Sequence, residues 1–91
     1  MDISTELMSV IHDRQNNPEE GSYTNYLFEK GREKIAKKLG EEAVEVCIAA
    51  AKNNKEETIG ELADLTYHAL VLMADMGITL EDVEKELRNR R

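Results

Sequence analysis

Residues 56–76 constrain the fold more than any other part of the sequence, because this long segment has helical spacing and is apolar nearly all round. Tyr67, Val71 and Ala74 lie on faces other than the main apolar one. A helix of this kind must be covered on most sides, and a chain of 91 residues has little else to cover it with. We therefore expect it at the centre of a bundle that a second copy of the chain completes. The residues expected on its buried side are Ile59, Leu62, Leu65, Thr66, Ala69, Leu70, Leu72, Met73 and Met76.

Two further segments, at residues 2–15 and 24–53, have the apolar spacing of amphipathic helices, and residues 80–90 have acids first and arginines last, the charge order that matches a helix dipole. Gly31 and Gly40 lie inside the second of these segments, where they mark either a break or a close packing point. The apolar residues are mainly Leu, Ile, Val, Ala and Met, which favours helix over sheet. The predicted fold class is all-α. We expect about four helices per chain, with a helical hairpin as a core that a homodimer completes as a multi-helix bundle.

The charge and the cysteine content exclude several classes of function. A formal net charge of −7 argues against non-specific binding to nucleic acid and to anionic membrane surfaces, because both repel an acidic protein. No apolar run approaches the length that crosses a membrane, and Asp2 and Glu6 make the N-terminus unlike a signal peptide. Cys47 is the single cysteine, so no intrachain disulfide forms, and we expect it to be a small buried hydrophobe. The expectation is a cytoplasmic protein with one domain over residues 1–91.

Four carboxylates on two neighbouring predicted helices carry the strongest indication of function. Glu42 and Glu45 are three residues apart, as are Glu61 and Asp64, so each pair lies on roughly one side of its helix. Glu42 falls inside the apolar arc of its helix, where a lone carboxylate is costly. In a helical hairpin the two pairs would face each other, and a divalent cation would offset their combined charge. The alternative is that these acids are simply solvated.

The residues around these acids favour magnesium over iron. Dinuclear iron bundles use Glu-x-x-His pairs, and this chain has none, since His68 follows Asp64 by four residues and Glu61 by seven. Oxygen ligands without histidine suit Mg²⁺, or Mn²⁺ in its place, better than redox iron. We therefore predict Mg²⁺, with Mn²⁺ as the alternative ion. The predicted metal ligands are Glu42, Glu45, Glu61 and Asp64.

Basic and aromatic residues near the acids are candidates for substrate binding. Lys34, Lys37 and Lys38 precede the acids, and either they pair with glutamates on a wet surface or Lys38 points at phosphates. Arg14 offers a forked contact to phosphate, and Tyr23 either stacks on a base or covers the edge of the core. The candidate substrate-binding residues are Arg14, Tyr23, Thr24, Lys34, Lys38 and His68.

Three motifs occur together in this chain: Ser22-Tyr23-Thr24, then Lys38-x-Gly40-Glu41-Glu42-x-x-Glu45, then Glu61-x-Ala63-Asp64-Leu65-x-Tyr67-His68. In this order they resemble the phosphoribosyl-ATP pyrophosphatase family, and the resemblance covers nearly the whole chain. It implies an all-α homodimer of the MazG-type pyrophosphohydrolase superfamily, which is marked by Glu-x-x-Glu followed by Glu-x-x-Asp. It also implies Mg²⁺-dependent hydrolysis of phosphoribosyl-ATP to phosphoribosyl-AMP and pyrophosphate, the second step of histidine biosynthesis, by a stand-alone form of the domain.

In that reaction we expect a glutamate to take the proton of the attacking water, and the catalytic candidates are Glu41 and Glu42. Two other functions stay open at this point. The first is a house-cleaning enzyme of the same superfamily that hydrolyses ordinary or damaged nucleoside triphosphates with the same carboxylates. The second, of another class, is a non-catalytic helical dimerisation module whose acids are solvated.

Overall fold

The computed structural model describes residues 2–91, which form α-helices and no β-strand. The all-α prediction is therefore confirmed, but the expected number of about four helices is wrong, because the described residues form five. The helices are α1 (Ile3–Asn16), α2 (Tyr23–Lys30), α3 (Arg32–Ala51), α4 (Lys55–Met76) and α5 (Leu80–Arg90).

The additional helix arises at Gly31, which divides the segment that the sequence predicted as one helix. Its φ of 94° is a conformation that residues with a side chain rarely adopt. The Gly31 N–H donates to the Leu27 carbonyl at 3.0 Å, which ends α2, and α3 begins at the next residue. Gly40, by contrast, continues inside α3 without a break. A helix tolerates an internal glycine at a cost of about 1 kcal/mol, so the sequence did not distinguish the two positions.

Polar side chains fix where the helices begin. Ser22 accepts a hydrogen bond from the backbone N–H of Asn25 at 3.2 Å, and Asn54 caps α4 in the same way at 3.0 Å from Glu57. Thr79 and Asp82 form a reciprocal capping box at the start of α5. The starts of α2 and α4 are therefore set locally, and this determines which way their later side chains point.

The core is built by the first four helices. Its largest fully buried side chains are one from each of them: Ile11, Leu27, Ile35 and Val71. In α5 no residue is buried. The core thus lies toward the beginning of α3 and the second half of α4, which leaves the middle of these two helices for other residues.

Helices α3 and α4 form a hairpin that is held at both ends. At one end they are joined by only three residues, 52–54. At the other end the Arg32 Nε donates to Asp75 Oδ2 at 2.7 Å, and the same guanidinium donates to the Asp75 carbonyl at 3.3 Å. Both partners lie at helix ends, so this partly exposed contact joins α3 and α4 beyond the core.

One side of α4 is covered less well than the sequence predicted. Leu70 is buried as expected, but Ile59, Leu62 and Met76 are 59%, 45% and 48% exposed, and Thr66 is exposed as well. The expectation that these four are buried is wrong for the single chain, because α1 and α3 cover other sides of α4. Cys47 is also exposed rather than buried. No helix among residues 2–91 is both long enough and apolar enough to cross a membrane.

Candidate active site

Three glutamates meet across the α3–α4 hairpin. Glu42, Glu45 and Glu61 each bring one carboxylate oxygen to within 4.8 Å of the others. Glu42 is buried because it lies seven residues after Ile35 and seven before Ala49, both of which point into the interior. Glu61 is half-buried and Glu45 is exposed, so the cluster opens to solvent on one side.

The charges of these carboxylates oppose one another. Burial raises the pKa of Glu42, and the neighbouring carboxylates of Glu45 and Asp64 raise it further. The pKa of Glu61 is raised to about 7, first by a hydrogen bond with Glu45 and then by desolvation. Carboxylates this close do not all ionise readily near neutral pH without a compensating cation.

One atom of the cluster lacks a partner. Within residues 2–91, Oε2 of Glu42 is a buried side-chain oxygen with no hydrogen bond. Such atoms are rare in folded proteins and call for an unseen water or ion. Three converging carboxylates, one of them with a free buried oxygen, fit the all-oxygen ligand set of a hard divalent cation.

Asp64 lies at the edge of this cluster. Its side chain is exposed, and its carboxylate is outside the group of three oxygens that lie within 4.8 Å of one another. It is still near enough to raise the pKa of both Glu42 and Glu61 by charge repulsion. The role of Asp64 as a metal ligand therefore stays a prediction.

Helix α2 is tied to α4 beside the cluster by two neighbouring hydrogen bonds. The Tyr23 hydroxyl lies 3.0 Å from His68 Nε2, and the Thr24 hydroxyl bonds the Tyr67 hydroxyl. His68 is only 5% exposed, and its Nδ1 lies 2.7 Å from the carbonyl oxygen of Asp64. Three of the predicted substrate-binding residues, Tyr23, Thr24 and His68, are thus used in holding α2 against α4.

Tyr26 and Tyr67 were not among the predicted substrate-binding residues, although they extend this contact. The Tyr23 ring stacks on Tyr26 at a centroid distance of 6.0 Å and on Tyr67 at 6.2 Å. The chain has three tyrosines, and all of them meet here. The spacing of Tyr23 and Tyr26 on one helix face would have linked these two, whereas the contact with Tyr67 depends on how α2 packs on α4.

The basic candidates occupy different surroundings. Lys38 Nζ lies 3.2 Å from Glu41, and this contact raises the pKa of Lys38. Lys34 is half-buried one turn earlier on the same helix. The Arg14 guanidinium contacts two carboxylates, those of Asp13 at 2.9 Å and Glu19 at 3.1 Å. Arg14 is therefore already charge-paired, and its predicted contact with substrate stays a prediction.

Fold and site together define an all-α protein with an acidic cluster between two helices that is suited to a divalent cation. The chain belongs to the phosphoribosyl-ATP pyrophosphohydrolase family, whose sequence profile matches residues 4–91.

Curated relatives agree with this family. A phosphoribosyl-ATP pyrophosphatase of Clostridium acetobutylicum is 58% identical over 89 residues, which are 98% of this chain and 81% of the relative. One from Listeria innocua is 59% identical over 86 residues, or 94% of this chain and 82% of the relative. A histidine biosynthesis bifunctional protein of Oceanobacillus iheyensis is 53% identical over 90 residues, 99% of this chain but 42% of that protein.

Proposed function

We propose that this protein hydrolyses phosphoribosyl-ATP to phosphoribosyl-AMP and pyrophosphate with Mg²⁺, the second step of histidine biosynthesis, and that it acts in the cytoplasm as a single domain. The observation that carries this proposal is the carboxylate cluster of Glu42, Glu45 and Glu61, found in a chain 58% identical to a phosphoribosyl-ATP pyrophosphatase. A triphosphate is strongly anionic, so a protein with a net charge of −7 needs local positive charge to bind it.

We assign the cation to Glu42, Glu45 and Glu61, with Asp64 as the fourth ligand because its charge already acts on Glu42 and Glu61. Bound there, Mg²⁺ would supply positive charge to the phosphate oxygens and to the leaving pyrophosphate. Mn²⁺ prefers the same oxygen ligands and is the expected substitute.

We propose that Lys38 contacts the phosphates of the substrate. Lys38 lies on α3 one turn before Glu42, and its ammonium partly offsets the rise in the pKa of Glu42 and of Tyr23, so its charge acts on both. Its ion pair with Glu41 is partly exposed and therefore weak, so a phosphate would compete for it readily.

Glu42 is the better of the two candidates for taking the proton of the attacking water. Its Oε2 is buried without a hydrogen-bond partner, so it is free to accept that proton. Glu41 is exposed and pairs with Lys38. In the step, the water oxygen bonds to the α-phosphorus and its proton goes to Glu42. The bond from that phosphorus to the bridging oxygen breaks, and the oxygen leaves with pyrophosphate.

We propose that two copies of the chain associate through the uncovered side of α4. Ile59, Leu62 and Met76 lie on one face of this helix and are all exposed in the single chain. The half-buried Ala69 and Met73 lie on the same face. A contiguous apolar stripe of this length on a small domain is typical of an interface, and a homodimer would complete the bundle that the chain leaves open.

The test is the release of pyrophosphate from phosphoribosyl-ATP, compared with a panel of ordinary nucleoside triphosphates, in Mg²⁺, in Mn²⁺ and in EDTA. We expect turnover of phosphoribosyl-ATP in either metal, little turnover of the panel, and none in EDTA. If the protein hydrolyses the nucleoside triphosphates of the panel but not phosphoribosyl-ATP, the house-cleaning function replaces this proposal. If no substrate is hydrolysed and Mg²⁺ does not raise the melting temperature, the protein is instead a non-catalytic dimerisation module.

A further inference from the structure

We propose that His68 is a positioning residue that orients the Tyr23 hydroxyl as a hydrogen-bond acceptor for a sugar hydroxyl or a base N–H of the substrate, and not for its phosphates. The proposal deepens the function proposed above and rests on it for the identity of the substrate. It assigns Tyr23 to recognition of the part of the nucleotide that does not react.

The first step concerns the tautomer of His68. Its Nδ1 lies 2.7 Å from the backbone carbonyl oxygen of Asp64, four residues earlier on α4. A carbonyl oxygen only accepts hydrogen bonds, so Nδ1 carries the hydrogen. In a neutral imidazole the other nitrogen then accepts. Since the ring is only 5% exposed, this arrangement is held by the fold rather than by solvent.

The second step concerns the single hydrogen of the Tyr23 hydroxyl. With Nε2 of His68 as an acceptor 3.0 Å away, the hydroxyl donates its hydrogen to that nitrogen. Only its acceptor lone pairs remain for another partner. Burial raises the pKa of Tyr23, which keeps it a hydroxyl near neutral pH. The residue is 44% exposed, and we expect a ligand to reach the oxygen from that exposed side.

The third step matches that oxygen to a ligand. The Tyr23 hydroxyl lies near the acidic cluster, because its partner His68 is on α4 seven residues after Glu61, on the same side of that helix. Ionised phosphate oxygens are also acceptors, so they cannot form a hydrogen bond with the Tyr23 oxygen. Sugar hydroxyls and base N–H groups are donors and fit it. Tyr23 therefore favours nucleotides that place a sugar or base next to the acidic cluster.

The neighbouring tie between α2 and α4 supplies a matched control. Thr24 and Tyr67 also join the two helices through a phenol hydroxyl, so Tyr67→Phe deletes the same atom from the same helix pair. Tyr67 does not contact His68 through its hydroxyl. A purely structural role for the ties predicts similar effects of Tyr23→Phe and Tyr67→Phe.

The experiment measures the dissociation constants of two ligands in Mg²⁺, phosphoribosyl-AMP and inorganic pyrophosphate, by calorimetry. For Tyr23→Phe we expect phosphoribosyl-AMP to bind about three- to tenfold more weakly, the effect of one neutral hydrogen bond, with pyrophosphate unchanged. For Tyr67→Phe we expect a lower melting temperature and no change in either constant. Equal weakening of pyrophosphate by Tyr23→Phe would overturn the proposal.

The role of His68 is tested through its coupling to Tyr23. His68→Leu removes the acceptor while keeping the site apolar and filled, and we expect it to weaken phosphoribosyl-AMP binding as Tyr23→Phe does. The double variant should lose no more than the larger single effect, because both act through one hydrogen bond. His68→Gln, whose amide oxygen accepts, should recover much of the binding. Additive losses would contradict a positioning role.

A readout that needs no substrate separates this inference from the proposed function. Nitrogen-15 NMR of the histidine side chains in the intact protein should show His68 with a hydrogen on Nδ1 and none on Nε2, and the Nε2 signal should shift in Tyr23→Phe. A hydrogen on Nε2 at neutral pH would overturn the inference even if phosphoribosyl-ATP is turned over. A wild-type protein that shows the expected signals but no turnover would instead overturn the proposed function.

Discussion

Glu45 on α3 and Glu61 on α4 approach each other across the hairpin closely enough to share a proton, and this contact is the main cause that raises the pKa of Glu61 to about 7. Two facing carboxylates titrate as a pair, because ionising one makes the second harder to ionise. Near neutral pH the metal-free cluster therefore holds a proton that a cation has to displace.

The first prediction concerns stability as a function of pH in EDTA. The folded-state pKa of Glu61 is raised from its ordinary value of 4.5 to about 7. Its contribution to stability is thus fully present below pH 4.5 and is lost as the pH rises through about 7. Glu61→Gln cannot ionise, so we expect its free energy of unfolding to improve relative to wild type across that range. Urea denaturation at a series of pH values measures the difference.

Glu81→Gln is the matched control for this experiment, because Glu81 is exposed on α5. Its difference from wild type should lack the change between pH 4.5 and about 7 that is expected for Glu61→Gln. A Glu61→Gln difference that is equally flat would show that Glu61 does not titrate as a partner of Glu45.

The second prediction separates Glu42 from its neighbour Glu41. Glu42→Gln should lower kcat by at least about 10- to 100-fold, since even an indirect partner of a metal site has effects of this size. Its stability in EDTA should be unchanged or higher, because a buried carboxylate with a raised pKa is removed. Glu41→Gln should keep most of the activity, as Glu41 is exposed and pairs with Lys38. Steady-state kinetics with both variants checks this, and the opposite order would make Glu41 the base.

The third prediction concerns phosphate binding. Lys38→Met should raise KM for phosphoribosyl-ATP on the order of 10- to 100-fold, the usual effect of a hydrogen bond to a charged group. Lys37→Met is the control, because Lys37 is exposed on another face of α3. The melting temperatures of both variants should stay near that of wild type. Equal KM values for the two variants would remove Lys38 from the site.

The fourth prediction concerns association of the chain. Leu62→Glu places a charge in the apolar stripe of α4 and should weaken the homodimer by about 30-fold or more, as expected for a central interface residue. Ile48→Glu makes the same change at a residue that is 53% exposed on α3, outside the apolar stripe of α4, so the dimer should persist. Sedimentation velocity over a concentration series measures both. A monomeric wild type would contradict the proposed interface.

The fifth prediction compares two glycines. Gly31→Ala should lower stability by about 1–3 kcal/mol, because only glycine adopts its backbone angles without strain. Gly40→Ala should raise stability by about 0.5–1 kcal/mol, since Gly40 is inside α3 and an added Cβ meets nothing within 4 Å. Thermal unfolding distinguishes the two. The same sign for both variants would mean that Gly31 does not hold the break between α2 and α3.

Much of this arrangement followed from local patterns. The spacing of Glu42 with Ile35 placed this acid on the interior side of its helix, and the caps at Ser22 and Thr79 are set by residues within three positions. Residue spacing and helix caps did not predict how segments distant in the sequence pack against each other. The meeting of Tyr23 with His68 depends on the angle at which α2 leaves Gly31, and no periodicity encodes that angle.

The same limit explains the error in burial. The stripe on α4 is apolar by sequence, so Ile59, Leu62 and Met76 were expected to be buried, yet no element among residues 2–91 covers them. Apolar periodicity indicates that a face is covered, but it does not say by which molecule. Cys47 shows the converse, because a residue type that is commonly buried lies on the exposed side of α3.

The contact of Arg32 with Asp75 has a mechanical consequence for the carboxylates between the hairpin's ends. At high pH, where all three are ionised, repulsion among Glu42, Glu45 and Glu61 would push the two helices apart at their middle, while the three-residue turn and the Arg32–Asp75 pair oppose separation at either end. Because α3 and α4 are joined at both ends, such repulsion would bend them slightly at the middle and would not separate them. We therefore expect the acids to stay within reach of one another with or without a bound cation, so that cation binding needs no refolding of the hairpin.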